Sequence, residues 1–147
     1  MWSGGPGYRT ASAGNIARRG ARTRLRRLLP TAHELVYDNY NFFVIGYSAS
    51  LKPSDCIVSI AAAANGVGLS FYHGADVPDP QHLLLVSGKQ NRFIRLESAA
   101  TLDRREVRAL IQSAVAVTKV PLAASGRGTL VIRSISAKQR PRARSRS

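Results

Sequence analysis

Apolar residues recur along this chain with two different periods, and the change from one to the other outlines its elements. Ala21, Leu25, Leu28 and Leu29 fall at i, i+4, i+7 and i+8, one face of a short helix that Pro30 ends, with arginines around the rest. Phe42 to Tyr47 is then rich in aromatic and β-branched residues and predicts a strand, and Cys56 to Ile60 predicts a second. In the third, Val67, Leu69 and Phe71 alternate with Gly68, Ser70 and Tyr72. Asn65-Gly66 lies between the second and third strands. Both residues tolerate positive φ, so the two strands are expected to pair as an antiparallel hairpin.

Asp76 to Pro80 reads as loop, and Arg92 to Glu97 resumes alternation as a fourth strand. A second helix is expected next, capped by Thr101, with Asp103 in its first turn and Val107, Leu110, Ile111, Ala114 and Val115 along one face. Thr129 to Ile135 is apolar enough to add an edge strand. This order predicts an α+β domain, an antiparallel β-sheet flanked by N-terminal and C-terminal helices.

Charge divides the chain differently. Residues 1–27 hold seven arginines and no acid, residues 127–147 hold seven Lys or Arg and no acid, and the stretch between is neutral, so the net +14 lies at the two ends. The expected organisation is a disordered basic tail over residues 1–20, one folded domain over 21–136 and a basic tail over 137–147. Arg18, Arg19, Arg140, Arg142, Arg144 and Arg146 are then candidates for weak, nonspecific nucleic-acid contact through phosphate neutralisation. Removing the tails is expected to leave the melting temperature nearly unchanged. A lone Cys56, no apolar run ahead of a cleavage site and no stretch of eighteen apolar residues point to a cytoplasmic protein without a membrane span.

Catalytic chemistry finds little purchase. There is no G-x-S-x-G elbow, Cys56 lies inside an apolar strand, and Ser87-Gly88-Lys89-Gln90 lacks the spacing of a nucleotide-binding loop. His73, Asp76, Asp79 and His82 are spaced three apart but read as a proline-stiffened loop, so no metal ligands are assigned. Two groups remain as candidate ligand-binding residues. Lys89, Arg92 and Arg95 follow a glycine-hinged turn near His73 and suit a small anion, and Tyr37, Asn39 and Tyr40 offer uncharged, oriented hydrogen bonds.

The arc from Leu25 to about Val117 resembles the YdhG-like family of small bacterial domains. The resemblance is carried by Pro30 to Asn41 (PTAHELVYDNYN), Leu69 to Pro80 (LSFYHGADVPDP), Ser87 to Leu96 (SGKQNRFIRL) and the helix from Asp103. It implies a compact α+β domain of uncharacterised function. Through relatives described as frataxin-like, it also implies iron as a cargo for iron-sulfur cluster assembly. Iron binding of that type relies on clustered carboxylates, whereas the first helix here carries arginines and has Glu34 and Asp38 as its nearest acids. The sequence therefore points first to a non-enzymatic protein that binds a small ligand or a protein partner. An iron chaperone, and an enzyme or binder for a small anionic substrate, are the alternatives.

Overall fold

The computed structural model describes residues 7–38, 42–63, 66–86 and 88–135. Helix α1 (Gly7–Leu28) leads into strand β1 (His33–Asp38), and β2 (Phe42–Ser48), β3 (Cys56–Ala63) and β4 (Gly66–Phe71) follow as an antiparallel meander. The short β5 (Leu85–Val86) and β6 (Arg92–Arg95) come next, then helix α2 (Arg105–Val117) and β7 (Leu130–Ile135). The seven strands form one sheet in the order β5-β6-β4-β3-β2-β1-β7. The fold is α+β, with two helices and a mostly antiparallel sheet.

Alternation decides which side chains enter the core. Phe71, Leu69 and Val67 on β4 stand beside Val58, Ile60 and Ala62 on β3, and these beside Tyr47, Ile45 and Phe43 on β2. One cluster joins most of these residues to Ala21 and Leu25 of α1 and to Val107, Leu110, Ile111 and Ala114 of α2. The helical spacings and the β-alternation thus meet in a single apolar layer. The hairpin at Gly66 forms as expected, with φ at 132°.

Four features depart from the sequence reading. Helix α1 begins at Gly7, so residues 7–20 are helical where a disordered tail was expected. Their register continues the face of Ala21 and Leu25: Ala17 packs on the core, and a Cβ at Gly20 would stand 2.5 Å from that of Ala99. The chain from His33 to Asp38 is a full strand where the sequence reading expected none, so Tyr37 and Asp38 lie in the sheet. Thr101 caps no helix. Ser98 instead accepts from the Ala100 amide to start a 3₁₀ turn (Ala99–Asp103), and α2 follows without a side-chain cap.

The fourth departure is the direction of β7: it takes the expected edge position but pairs with β1 in parallel. A parallel partner requires a long crossover, and everything from β2 to α2 supplies it. The returning chain is tied down where the Gly128 amide donates to the Pro30 carbonyl and the Glu34 amide donates to the Thr129 carbonyl. A side chain at Gly128 would overlap the Ala32 carbonyl, so the close approach requires glycine.

Candidate functional site

Helix α1 crosses β3 and β4 and rests on the 3₁₀ turn at Ala99–Asp103, leaving the β1–β7 end of the sheet less covered on that side. A cleft of about 310 Å³ opens there. Val36, Phe43, Ile45, Leu130 and Ile132 form its apolar floor, and Arg18, Arg19 and Arg22 form its rim. The register explains the floor: Ile45 faces Val36 across β2 and β1, and Val36 faces Ile132 across β1 and β7. Leu130 and Ile132 remain 48% and 56% exposed, more than a filled core position allows.

The arginines of α1 divide into two uses. Arg18, Arg22 and Arg26 recur every four residues and so share one flank of the helix. Arg22 donates through Nε to Glu34 Oε2 at 2.8 Å and through Nη2 to Oε1 at 3.0 Å, and Arg26 donates to Oε1 at 2.9 Å. The Tyr47 hydroxyl donates to Oε2 at 2.8 Å, so both oxygens of this buried carboxylate receive two hydrogen bonds. Burial alone would push the Glu34 carboxyl up. The bonds from Arg22 and Tyr47, with the charges of Arg22 and Arg26, outweigh it and hold the carboxyl below its ordinary value. Burial beside that carboxylate drives the Tyr47 hydroxyl far above the usual phenol range.

Arg18 and Arg19 make no ion pair among the described residues. The Arg18 guanidinium lies 4.4 Å from the centre of the Phe43 ring, a cation–π contact. A cation held over an aromatic ring beside an apolar floor is suited to hold an anion.

The site expected at Lys89, Arg92 and Arg95 is not assembled. Arg92 and Arg95 stand three apart on β6 and therefore on opposite faces of the sheet. The Arg92 Nη1 donates to the carbonyls of Gly88 and Asn91 at 3.0 and 2.9 Å, which fastens the loop and commits that nitrogen to it. Arg95 is exposed, 5.9 Å from the Phe93 ring. His73 and Lys89 do meet, with Tyr72, Gly88, Gln90 and Asn91, around a shallow hollow of about 280 Å³. His73 is already bonded through Nε2 to the Ser54 carbonyl at 3.1 Å.

Tyr37 lies on β1, with β2 and β3 between it and the strand that leads to His73, so the two belong to different sites. Its hydroxyl is buried without a hydrogen-bond partner among the described residues. Asn39, Tyr40, Arg140, Arg142, Arg144 and Arg146 lie outside the described residues.

Asp79 accepts from the amides of Leu83 and Leu84, both at 2.8 Å. No group of three or more His, Cys, Asp or Glu able to hold a metal occurs among the described residues. Burial lifts the Cys56 thiol to about 11, with the Ser48 hydroxyl opposing and the Asp55 charge reinforcing that rise, so little thiolate exists near neutral pH. No helix among the described residues is long and apolar enough to cross a membrane. Comparison of the chain with protein-family models, curated proteins and solved structures returned no match.

Proposed function

We propose that this chain is a non-enzymatic binding domain of the YdhG-like type, its helices flanking the sheet, and that its ligand is a small anionic molecule held in the cleft between α1 and β7. One observation carries the reading: Arg18 and Arg19, unpaired with any acid among the described residues, stand over an apolar floor in a cleft of about 310 Å³. That volume lies at the lower edge of the roughly 300–1,000 Å³ usual for ligand sites, which are mostly apolar with a few placed charges. The YdhG-like part of the reading rests on the stretches from Pro30 to Leu96 and on the α+β architecture they imply.

The cleft offers a ligand charge and apolar surface. It offers no carboxylate, thiol or imidazole among its lining residues to move a proton or attack a bond, which favours binding over catalysis. Glu34, one of the two acids nearest the first helix in sequence, accepts two hydrogen bonds on each oxygen from two guanidiniums and a phenol, which disfavours it as an iron ligand.

The test is amide chemical-shift mapping with a panel of small carboxylates and inorganic phosphate. Saturable shifts at Arg18 to Arg22, Phe43 and Leu130 to Ile132 are expected. Shifts confined to Tyr72, His73 and Gly88 to Asn91 would move the site to the other hollow and overturn the reading.

A further inference from the structure

We infer that the cleft is built for an anionic amphiphile, a carboxylate carrying an unbranched alkyl chain, and this rests on the reading of the cleft as the ligand site. A bare anion would need charge and hydrogen-bond donors alone. Five of the eight lining residues are instead apolar, and they come from three adjacent strands, so they form a continuous strip.

The strip has a direction. Val36, Ile45 and Phe43 lie on β1 and β2, nearer α1, while Leu130 and Ile132 lie on the edge strand β7, about half exposed. An alkyl chain laid along it would cover the surface of Leu130 and Ile132 that the fold leaves in water, which is the favourable term for any apolar tail. The charged end is set by α1. Arg22 is held by Glu34, so Arg18 and Arg19 are the rim cations left to receive a carboxylate. The Arg18 guanidinium lies over Phe43, whose ring belongs to the floor, and this places the charge at the border of the apolar strip. A molecule with its anion at one end and an aliphatic tail beyond matches that order of groups. A compact polyanion would strand its charge over the floor, and a neutral alkane would leave both guanidiniums unused.

The probes are acetate, hexanoate and decanoate below its micelle concentration, with decanol as the neutral control, titrated calorimetrically into the full chain. Decanoate is expected to bind saturably and tighter than hexanoate, by about two- to fourfold per added methylene because the cleft is open on one side. Arg18→Gln with Arg19→Gln is expected to weaken decanoate about tenfold or more, the usual loss for hydrogen bonds to a charged group. Ile132→Ser, at a half-exposed position of β7, is expected to weaken decanoate several-fold and leave acetate alone, with a retained cooperative melt as the control for folding.

Acetate binding as tightly as decanoate, with the same dependence on Arg18 and Arg19, would overturn the amphiphile and leave the small-anion reading standing. Decanol matching decanoate would overturn both, as would the absence of binding by every probe. Decanoate affinity unchanged in both variants would place the molecule elsewhere and overturn the inference.

Discussion

The two flanks of helix α1 are each held by arginine on carboxylate, yet the acids sit in opposite surroundings. On one flank Arg24 donates to Asp103 at 3.0 Å, with Arg108 3.5 Å from the same oxygen, and the Asp103 side chain is 46% exposed. On the other, Glu34 is 3% exposed and takes four hydrogen bonds from two arginines and a tyrosine. Water competes for Asp103 and cannot reach Glu34, so similar partners yield a surface pair in one case and a structural centre in the other. Glu34 thereby ties Arg22 and Arg26 to β1 beside the cleft that Arg18, Arg19 and Arg22 rim.

The comparison breaks most visibly at Glu34. Glu34→Ala leaves two guanidiniums and the Tyr47 hydroxyl without their acceptor. With Arg22 and Arg26 side chains 39% and 41% exposed, the loss falls at the lower end of the usual range for a broken buried pair, about 3 kcal/mol by urea unfolding. The effect carries a pH signature. Because the folded carboxyl is held below its ordinary value, its contribution is complete above the unfolded value of about 4.3 and is lost as pH falls through the lowered folded value. The stability gap between the parent chain and Glu34→Gln is therefore expected to close on acidification below that window, and a gap constant down to pH 2 would contradict the assignment.

Smaller effects sharpen the same contrast. Tyr47→Phe removes one donor to a buried charge without opening much space and is expected to cost about 1.5 kcal/mol in the same assay. Gly20→Ala would ordinarily gain about 1 kcal/mol of helix propensity. Its new methyl meets Ala99, so crowding outweighs the gain and thermal melting is expected to show a net loss of about 1 kcal/mol. Arg24→Ala, on the exposed flank, is expected to move the melting temperature least of all, and to do so less at high salt than at low.

The strands of the meander were legible because Phe42 to Tyr47, Cys56 to Ile60 and Val67 to Phe71 each carry a period or composition of their own, and Asn65-Gly66 names their turn. Strand β1 was not, because a charged residue occupies a core-facing position. His-Glu-Leu-Val-Tyr-Asp shows no alternation when the inward residues are Glu34 and Val36. The parallel seat of β7 depends on a contact between Gly128 and Ala32 that no local pattern encodes. The arginine-rich start misled in an instructive way. Its lack of acids suggested an arm, but the acids it needs lie downstream in Glu34 and Asp103, so part of the neutral middle is neutral only when counted without α1. The paired spacing of Arg22 and Arg26 ahead of an isolated glutamate was the available signal. Lys89, Arg92 and Arg95 were grouped by proximity in sequence, and strand alternation separated them.

The arginines of α1 divide their labour: Arg22 and Arg26 hold Glu34 and with it the fold, while Arg18 and Arg19 are the proposed ligand cations. Thermal melting of the parent chain and of the Arg18→Gln, Arg19→Gln double variant, each with and without decanoate, tests this division most directly. Without decanoate the double variant is expected to melt only slightly below the parent, by the small worth of the Arg18–Phe43 contact, and a ligand-induced rise is expected in the parent chain alone. A double variant that melts well below the parent before any decanoate is added, or that rises as much as the parent with it, would contradict the account.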